Sequence, residues 1–230
     1  MENLPTTGRT TTMTAEERRA TIIAKAKART EAGEAPQRHG GGSQYLSLDG
    51  NTGALTIGRA KTPVPPGQEW VVLIDVCKHG FRYWEGGNSK KEMMVNVLDA
   101  GRPYPAEGEV MAGDLPKPRE RDGWSETVSI ALSGIGDDSE LKGILGTLDC
   151  SNRSSISTAD ELMADCIDQI DTADGQRGLF NPIIEIEVDS YHNKNYSRDV
   201  YFPVFKIKAW TDGEEILKVD ADDGAANILD

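Results

Sequence analysis

The chain has 230 residues, a formal net charge of −13 at pH 7 and a hydrophobic content of 37%. This length suffices for one sizeable domain with tails, and the acidity argues against binding a polyanion through the whole surface, although not against a local basic groove. The longest apolar stretch, residues 70–74, is far too short to span a bilayer, and residues 1–5 show no secretory signal. We therefore expect a cytoplasmic protein without a membrane partner.

The first 43 residues are predicted to form a flexible N-terminal arm. Thr14 and Glu17 have the spacing of a capping box, which predicts a short basic helix running to about Thr30. Its apolar side consists of little more than Ile22, Ile23 and alanines, so it should pack weakly. The glycine-rich residues 33–43 then predict a flexible linker.

Short strands are predicted from residue 44 onwards. Residues 45–48 and 55–57 flank the turn sequence Asp-Gly-Asn-Thr-Gly and predict a hairpin. Residues 69–77 are apolar on both faces and predict a central strand, with residues 81–85 as its partner. Residues 93–98 predict a further short strand.

The second half of the chain predicts more strands and one helix. Residues 101–123 are rich in proline and polar residues and predict a loop, followed by strands at 124–132 and 144–150. A second capping box, Thr158 to Glu161, predicts the start of a helix with one apolar face. Residues 183–188 and 200–210 predict the last two strands.

About eight short strands with one internal helix favour a mainly β core domain at residues 44–212. The prediction is an antiparallel OB-like barrel or a sandwich, preceded by the N-terminal helical arm. The last twenty residues contain seven acidic residues and one lysine, so residues 213–230 predict a solvated acidic C-terminal tail.

No part of the sequence carries a recognisable catalytic signature. Asp75, Cys77 and His79 share one face of a strand, where a nucleophile with a base, or three metal ligands, could be imagined. A strand spaces such side chains about 7 Å apart, which favours a core thiol beside an edge histidine. The three widely spaced cysteines, Cys77, Cys150 and Cys166, indicate reduced buried thiols. We expect no enzyme activity, no cofactor and no metal.

Two clusters of interleaved aromatic and basic residues stand out from this acidic chain. The first contains Lys78, Phe81, Arg82, Tyr83, Trp84, Lys90 and Lys91. The second contains Tyr191, Lys194, Tyr196, Arg198, Tyr201, Phe202, Phe205, Lys206, Lys208 and Trp210. Cations that follow phosphates and flat rings that stack on bases are the two requirements of a groove for single-stranded nucleic acid.

The candidate nucleic-acid-binding residues come from both clusters. Those expected to stack on bases are Phe81, Tyr83, Trp84, Tyr196 and Tyr201. Those expected to contact phosphates are Lys78, Arg82, Lys90, Lys91, Lys194 and Arg198. The alternative is that the aromatic residues fill the core while the lysines, such as Lys206 and Lys208, lie on the solvated face of the same strand.

A sheet-borne groove followed by an acidic tail, here Asp220 to Asp230, resembles bacteriophage and bacterial single-stranded DNA-binding proteins of the OB-fold type. Those families usually end on an aromatic residue or Pro-Phe, whereas this chain ends Ile-Leu-Asp. The core also looks like an uncharacterised phage protein family at residues 45–50, 80–84, 122–124, 190–196 and 203–205. The resemblance implies a phage origin and a tail that contacts replication or recombination proteins.

The first functional hypothesis is therefore a non-enzymatic, non-sequence-specific single-stranded DNA-binding protein of phage replication or recombination. The second is a virion or assembly protein whose arm, residues 1–43, reaches a neighbouring copy, so that the protein forms a homo-oligomer. The third is an acidic inhibitor that mimics DNA. Neither the preference between DNA and RNA nor the oligomeric state follows from the sequence.

Overall fold

The structure, a computed structural model, describes residues 14, 17, 20, 21, 24, 44–86, 88–99, 101–111, 122–136, 139–194 and 197–212. Within the predicted arm, the Thr14 amide donates to Glu17 Oε2 at 2.7 Å and the Glu17 amide donates to Thr14 Oγ1 at 3.2 Å. An N-terminal helical arm is not seen in the described residues, and most of the predicted arm and the predicted acidic tail, residues 213–230, lie outside them.

The described residues form ten strands and one long helix. These are β1 Gln44–Leu48, β2 Leu55–Ile57, β3 Thr62–Pro63, β4 Glu69–Val72, β5 Lys78–Glu85, β6 Asn88–Asn96, β7 Gly123–Ile135, β8 Leu145–Cys150, α1 Arg153–Ile170, β9 Asn181–Asn193 and β10 Arg198–Thr211, with a 3₁₀ turn at Gly175–Arg177. The prediction of a mainly β protein with one internal helix is confirmed. No helix in the described ranges is long and apolar enough to cross a membrane.

All ten strands belong to one open, mixed sheet. Its main path runs β10-β9-β4-β7-β8-β1-β2-β3, and the β5-β6 pair branches off from β7. β1 pairs with β8 in parallel and the other described strand pairs are antiparallel. The predicted hairpin at residues 45–57 is confirmed as β1 and β2.

The predicted pairing of residues 81–85 with the 69–77 strand is wrong. β5 pairs with β6 and with the first half of β7, whereas β4 pairs with the second half of β7 and with β9. The chain leaves β4 at Leu73, whose amide donates to Ala131 O at 3.0 Å. β7 has 13 residues and is long enough to pair with both strands in turn, so β4 and β5 follow one another along β7 instead of pairing.

The hydrophobic core lies between one face of the sheet and α1. Val128, Ile130 and Leu148 are at most 2% exposed, and the apolar side of α1 covers them with Leu162 and Cys166. The apolar face predicted for the internal helix is therefore confirmed.

The helix begins five residues before the predicted capping box. Asn152 caps it, accepting a hydrogen bond from the Ser155 amide at 2.9 Å. The hydroxyl of Thr158 instead donates to Ser155 O at 3.1 Å and to Pro203 O at 2.9 Å in β10. Asparagine is as good an N-cap as threonine, so the helix can begin at the earlier residue. The Thr158 side chain is then free to bond the helix to the edge strand β10.

β9 and β10 form a hairpin longer than the two strands predicted there, and its far end returns towards β1. The Tyr201 amide donates to Gly50 O at 3.1 Å. A Cβ atom on Gly53, whose φ is +72°, would lie 2.8 Å from the Tyr201 ring. The glycines of the β1–β2 turn thus let this ring approach the turn backbone, which brings β10 beside the end of β1.

Gly80 allows β5 and β6 to approach each other. Its φ is +148°, and a Cβ atom there would lie 2.0 Å from Met93 O. We expect Gly80→Ala to lower the free energy of unfolding by about 2 kcal/mol, measured by urea denaturation. Gly67→Ala is the matched control, since its φ is +76° but nothing lies within 4 Å. Equal losses in the two variants would contradict the close approach as the cause.

Candidate nucleic-acid interface

Residues from both predicted clusters line one cleft of about 410 Å³. The cleft lies where the ends of β1 and β8, the strands β5 and β10, and the start of α1 meet. Among the described residues, three aromatic side chains line it, Tyr45, Trp84 and Tyr201, together with the guanidinium-bearing Arg82. Tyr45 is 64% exposed. The cleft is therefore an open site that combines flat rings with a cation.

The alternation of β5 divides the first cluster between the two faces of the sheet. Arg82 and Trp84 line the cleft. Tyr83 points to the other face, where its ring packs edge-on against Trp124 with centroids 5.5 Å apart. Phe81 shares that face, is 2% exposed and lies 5.1 Å from the Tyr104 ring. Neither Phe81 nor Tyr83 is placed to stack on a base in the cleft, because a strand sends neighbouring side chains to opposite faces.

Arg82 is part of an ion-pair network. Its guanidinium donates to Asp149 Oδ2, and its Nε lies 3.6 Å from Glu92 Oε2. Ser129 Oγ donates to the other oxygen of Asp149 at 2.5 Å. The Arg82 side chain is only 14% exposed. Arg82 therefore borders the cleft but is held by ion pairs within the protein. A phosphate bound there would have to compete with two carboxylates for its guanidinium.

Arg82→Gln is expected to lower the free energy of unfolding by about 1–3 kcal/mol, because it leaves the partly buried Asp149 carboxylate without its cation. Thermal or urea unfolding measures this loss. Lys78→Gln is the matched control: it removes one positive charge from an exposed position on the same strand and face, and should cost less than about 0.5 kcal/mol. A loss for Arg82→Gln no greater than for Lys78→Gln would contradict the structural role of Arg82.

The three lysines of the first cluster are exposed but do not line the cleft. Lys78 lies on the Arg82 face of β5. Lys91 pairs across from Tyr83 and its Nζ lies 5.8 Å from the centre of that ring, on the opposite face. Lys90 lies at the register shift between β5 and β6.

The second cluster lies on the β9–β10 hairpin, and of those predicted site residues that the structure describes, only Tyr201 lines the cleft. Arg198 donates to Asn51 Oδ1 in the β1–β2 turn, next to Gly50 of the cleft lining. Lys194 is exposed near the tip of the hairpin, and Tyr196 lies outside the described residues.

Further along β10, the lysines lie on the solvated face of the strand and the aromatic residues pack against the core, as the alternative interpretation predicts. Lys206 and Lys208 are exposed and pair with Glu187 at 2.5 Å and Glu185 at 2.8 Å. Phe205, one residue before Lys206, packs against the core instead. This stretch of β10 is therefore an ordinary amphipathic strand.

Tyr45 and the start of α1 line the cleft but are not among the residues predicted for the site. Leu46 and Leu48 lie on one face of β1, and alternation places Tyr45 on the other face. This alternation is visible in the sequence and could have identified Tyr45 as exposed. The contribution of Ser151, Asn152 and Ser155 to the cleft lining could not be found from the sequence, because the helix was predicted to begin later and on no particular side of the sheet.

The Asp75, Cys77 and His79 trio forms no reactive centre. Cys77 is fully buried, its Sγ donates to Leu73 O at 3.3 Å, and burial raises the pKa of its thiol to about 12. The imidazole Nε2 of His79 is buried, and burial lowers its pKa. Across the part of the chain that the structure describes, no group of three His, Cys, Asp or Glu side chains could hold a metal ion.

All three cysteines are buried free thiols, which confirms the prediction made for them. Burial raises the pKa of Cys150 to about 12 as it does for Cys77. A thiol with a raised pKa keeps its proton longer in the folded than in the unfolded chain. Its contribution to stability is therefore complete below about pH 9 and is lost as the pH rises towards 12.

We accordingly expect no reaction of the native protein with a thiol reagent at pH 8, and reaction of all three cysteines once urea unfolds the chain. Mass spectrometry of labelled protein counts the modified thiols. Rapid labelling of native Cys77 or Cys150 would contradict their burial.

No protein-family model, no curated protein and no solved structure matches this chain.

Proposed function

We propose that the protein binds single-stranded nucleic acid, without sequence specificity, in the cleft between β1, β5, β10 and the start of α1. One observation carries the proposal: residues from two clusters more than a hundred positions apart, Arg82 with Trp84 and Tyr201, line the same cleft. Tyr45 adds a third ring that is well exposed.

The size and composition of the cleft favour the binding of unpaired bases. Its volume of about 410 Å³ lies within the range of roughly 300–1,000 Å³ that is usual for small-ligand pockets. Aromatic rings stack on any base because every base has a flat π face, so three rings support binding without sequence preference. The chemistry suits unpaired bases rather than a duplex.

The electrostatics favour modest affinity. Arg82 is already paired with Asp149 and Glu92, so it adds less positive potential than a free guanidinium. Lys78, on the same face as Arg82, and Arg198, beside the β1–β2 turn, lie outside the cleft and would meet the phosphates of a strand that leaves it. With about two to three phosphates neutralised, the logarithm of the binding constant should fall with the logarithm of salt concentration with a slope of about −1.4 to −2.1.

The proposal includes an OB-like barrel and a role in phage replication or recombination, with the acidic tail as the contact for partner proteins. Support for the barrel comes from the hydrogen bond between Tyr201 and Gly50, which brings the last strand beside the end of the first. The mainly β architecture and the layout of cleft followed by acidic tail support the role.

Tryptophan fluorescence during titration with oligo-dT tests the proposal. Trp70 and Trp124 are at most 5% exposed and Trp210 packs against the core, whereas Trp84 lines the cleft, so we expect quenching that weakens with salt and is mostly lost in Trp84→Phe. Absence of binding at low salt, both for the full chain and for a chain lacking residues 213–230, would overturn it. Large oligomers that vanish when residues 1–43 are removed, together with no oligo-dT binding, would favour the assembly hypothesis instead.

A further inference from the structure

Residues 101–111, here called the strap, cross the face of β5 that carries His79. The Tyr104 ring of the strap lies 5.1 Å from the ring of Phe81. Phe81 follows His79 by two residues in β5, so the two side chains share one face of the sheet. The strap contains no helix and no strand, so side-chain contacts contribute much of what holds it against the sheet.

Arg102 bonds the strap to two other elements. Its guanidinium donates to Glu126 of β7 and to Asp160 Oδ1 of α1, the latter at 2.6 Å. The Arg102 side chain is only 17% exposed, and charge-assisted hydrogen bonds are roughly twice as strong as neutral ones. This one side chain therefore joins the strap, the sheet and the helix.

His79 has an unsatisfied nitrogen on this side of the sheet. Its imidazole Nε2 is buried and has no hydrogen-bond partner among the residues that the structure describes. Its neighbours across the strands, Val95 of β6 and Val128 of β7, are apolar. Buried polar atoms are normally paired, and histidine is the side chain that gains a proton just below neutral pH. The unpaired nitrogen therefore marks a position where protonation has a consequence.

The charged groups near His79 come from the strap, from the residues just before it and from α1. Burial first and the Arg102 charge second lower the pKa of His79. Asp160 and Asp99 act in the opposite direction, and Glu126 of β7 is bonded to Arg102. A protonated His79 would be a partly buried cation beside a second cation, as long as Arg102 holds Asp160.

We propose that the strap is an acid-sensitive element, which protonation of His79 releases by displacing Arg102 from Asp160. The imidazolium then takes the Asp160 carboxylate as its partner, so that one cation replaces the other at the same carboxylate. Arg102 moves towards solvent with the strap, and Tyr104 leaves the ring of Phe81. This device lies on the face of β5 that does not border the cleft, and it goes beyond the proposed function because it needs no nucleic acid.

The direction of the pH dependence follows from the pKa of His79. With the strap released, this pKa returns towards its ordinary value of 6.5, whereas with the strap bound it is lower. The bound strap is therefore fully favoured above about pH 6.5 and is progressively disfavoured as the pH falls from there towards the lowered pKa.

A pH titration of the full-length, isotope-labelled protein by NMR tests the strap without any substitution. We expect the His79 imidazole and the amides of residues 101–111 to shift with one common midpoint. His192 is the internal control, since it is exposed and its Nδ1 lies 3.0 Å from Asp199 Oδ1. Strap amides that do not shift, or that follow the midpoint of His192 instead of that of His79, would overturn the proposal.

Hydrogen exchange of the Trp124 and Glu109 amides gives a second readout, because both donate to carbonyls of the strap. From pH 7.5 to pH 5.5, after correction for the intrinsic exchange rate, their protection in the unmodified protein should fall by about threefold or more. His79→Gln should abolish this fall, and the control His192→Gln should keep it. An equal fall in His79→Gln and in the unmodified protein would contradict the proposal.

Arg102→Gln tests the attachment of the strap separately from the histidine. It should lower the protection of the same two amides already at pH 7.5 and leave little further fall at pH 5.5. Arg177→Gln is the matched control, because it removes an exposed ion pair with Asp174 and should leave the strap unchanged. Protection in Arg102→Gln equal to that in Arg177→Gln at pH 7.5 would show that Arg102 does not hold the strap.

Discussion

Replacing Trp84 with alanine should weaken oligo-dT binding by about five- to 150-fold, because stacking on one base is worth about 1–3 kcal/mol. Trp84 lies at the end of β5 on the face that borders the cleft, near Tyr45 and Tyr201. Fluorescence anisotropy of labelled oligo-dT measures the affinity and does not depend on the tryptophan itself. Unfolding curves of the same variant separate loss of binding from loss of fold.

Tyr104→Ala is the matched control for Trp84→Ala. Tyr104 is 69% exposed, but it packs on Phe81 at the opposite face of the sheet. Its removal should leave the affinity for oligo-dT within about twofold. A loss for Tyr104→Ala as large as the loss for Trp84→Ala would show that exposed aromatic area in general, and not the cleft, determines binding.

Trp70→Ala should lower the free energy of unfolding by about 3–5 kcal/mol, the largest effect on stability that we expect from one core substitution. Trp70 is fully buried in β4, opposite Gly134 of β7 and Ile184 of β9. Truncating this side chain leaves a cavity at the centre of the sheet. Because β4 is hydrogen-bonded to both β7 and β9 there, the backbone cannot easily move to fill the cavity. Urea denaturation followed by far-UV circular dichroism measures the loss.

Trp70→Phe separates the volume of the indole from its polar group. The indole Nε1 is buried and has no hydrogen-bond partner among the described residues, and an unsatisfied donor of this kind costs about 1–3 kcal/mol. Phenylalanine fills much of the same space and removes that donor, so the phenylalanine variant should lose far less stability than Trp70→Ala. Equal losses in the two variants would contradict this interpretation.

The sequence predicted secondary structure better than strand pairing. Alternation and turn residues located the β1–β2 hairpin correctly, because both signals are local. The partner of residues 81–85 was wrong, because nothing local in β4 or β5 records that the 13-residue β7 pairs with both of them in turn. The start of α1 was placed at Thr158 because the tertiary contact of its hydroxyl with Pro203 is invisible in the sequence.

For the candidate site too, the residue types were predictable from the sequence, whereas their burial and their partners were not. Residue types pointed to Trp84 and Tyr201, and the structure brings both to one cleft. Burial and pairing were not predictable: Phe81 is buried, and Arg82 is engaged by Glu92 of the neighbouring β6 and by Asp149 of β8, which lies 67 residues away in the sequence. Such roles depend on the fold of the whole sheet.

Ultraviolet crosslinking of the full-length protein to oligo-dT, followed by mass spectrometry of the crosslinked peptides, tests the central claim most directly. The cleft proposal predicts crosslinks at Tyr45, Trp84 and Tyr201, competed by excess unlabelled oligo-dT and reduced at high salt. Crosslinks confined to other surfaces, such as the exposed Tyr191 or Tyr104, or no crosslinks at low salt, would contradict it.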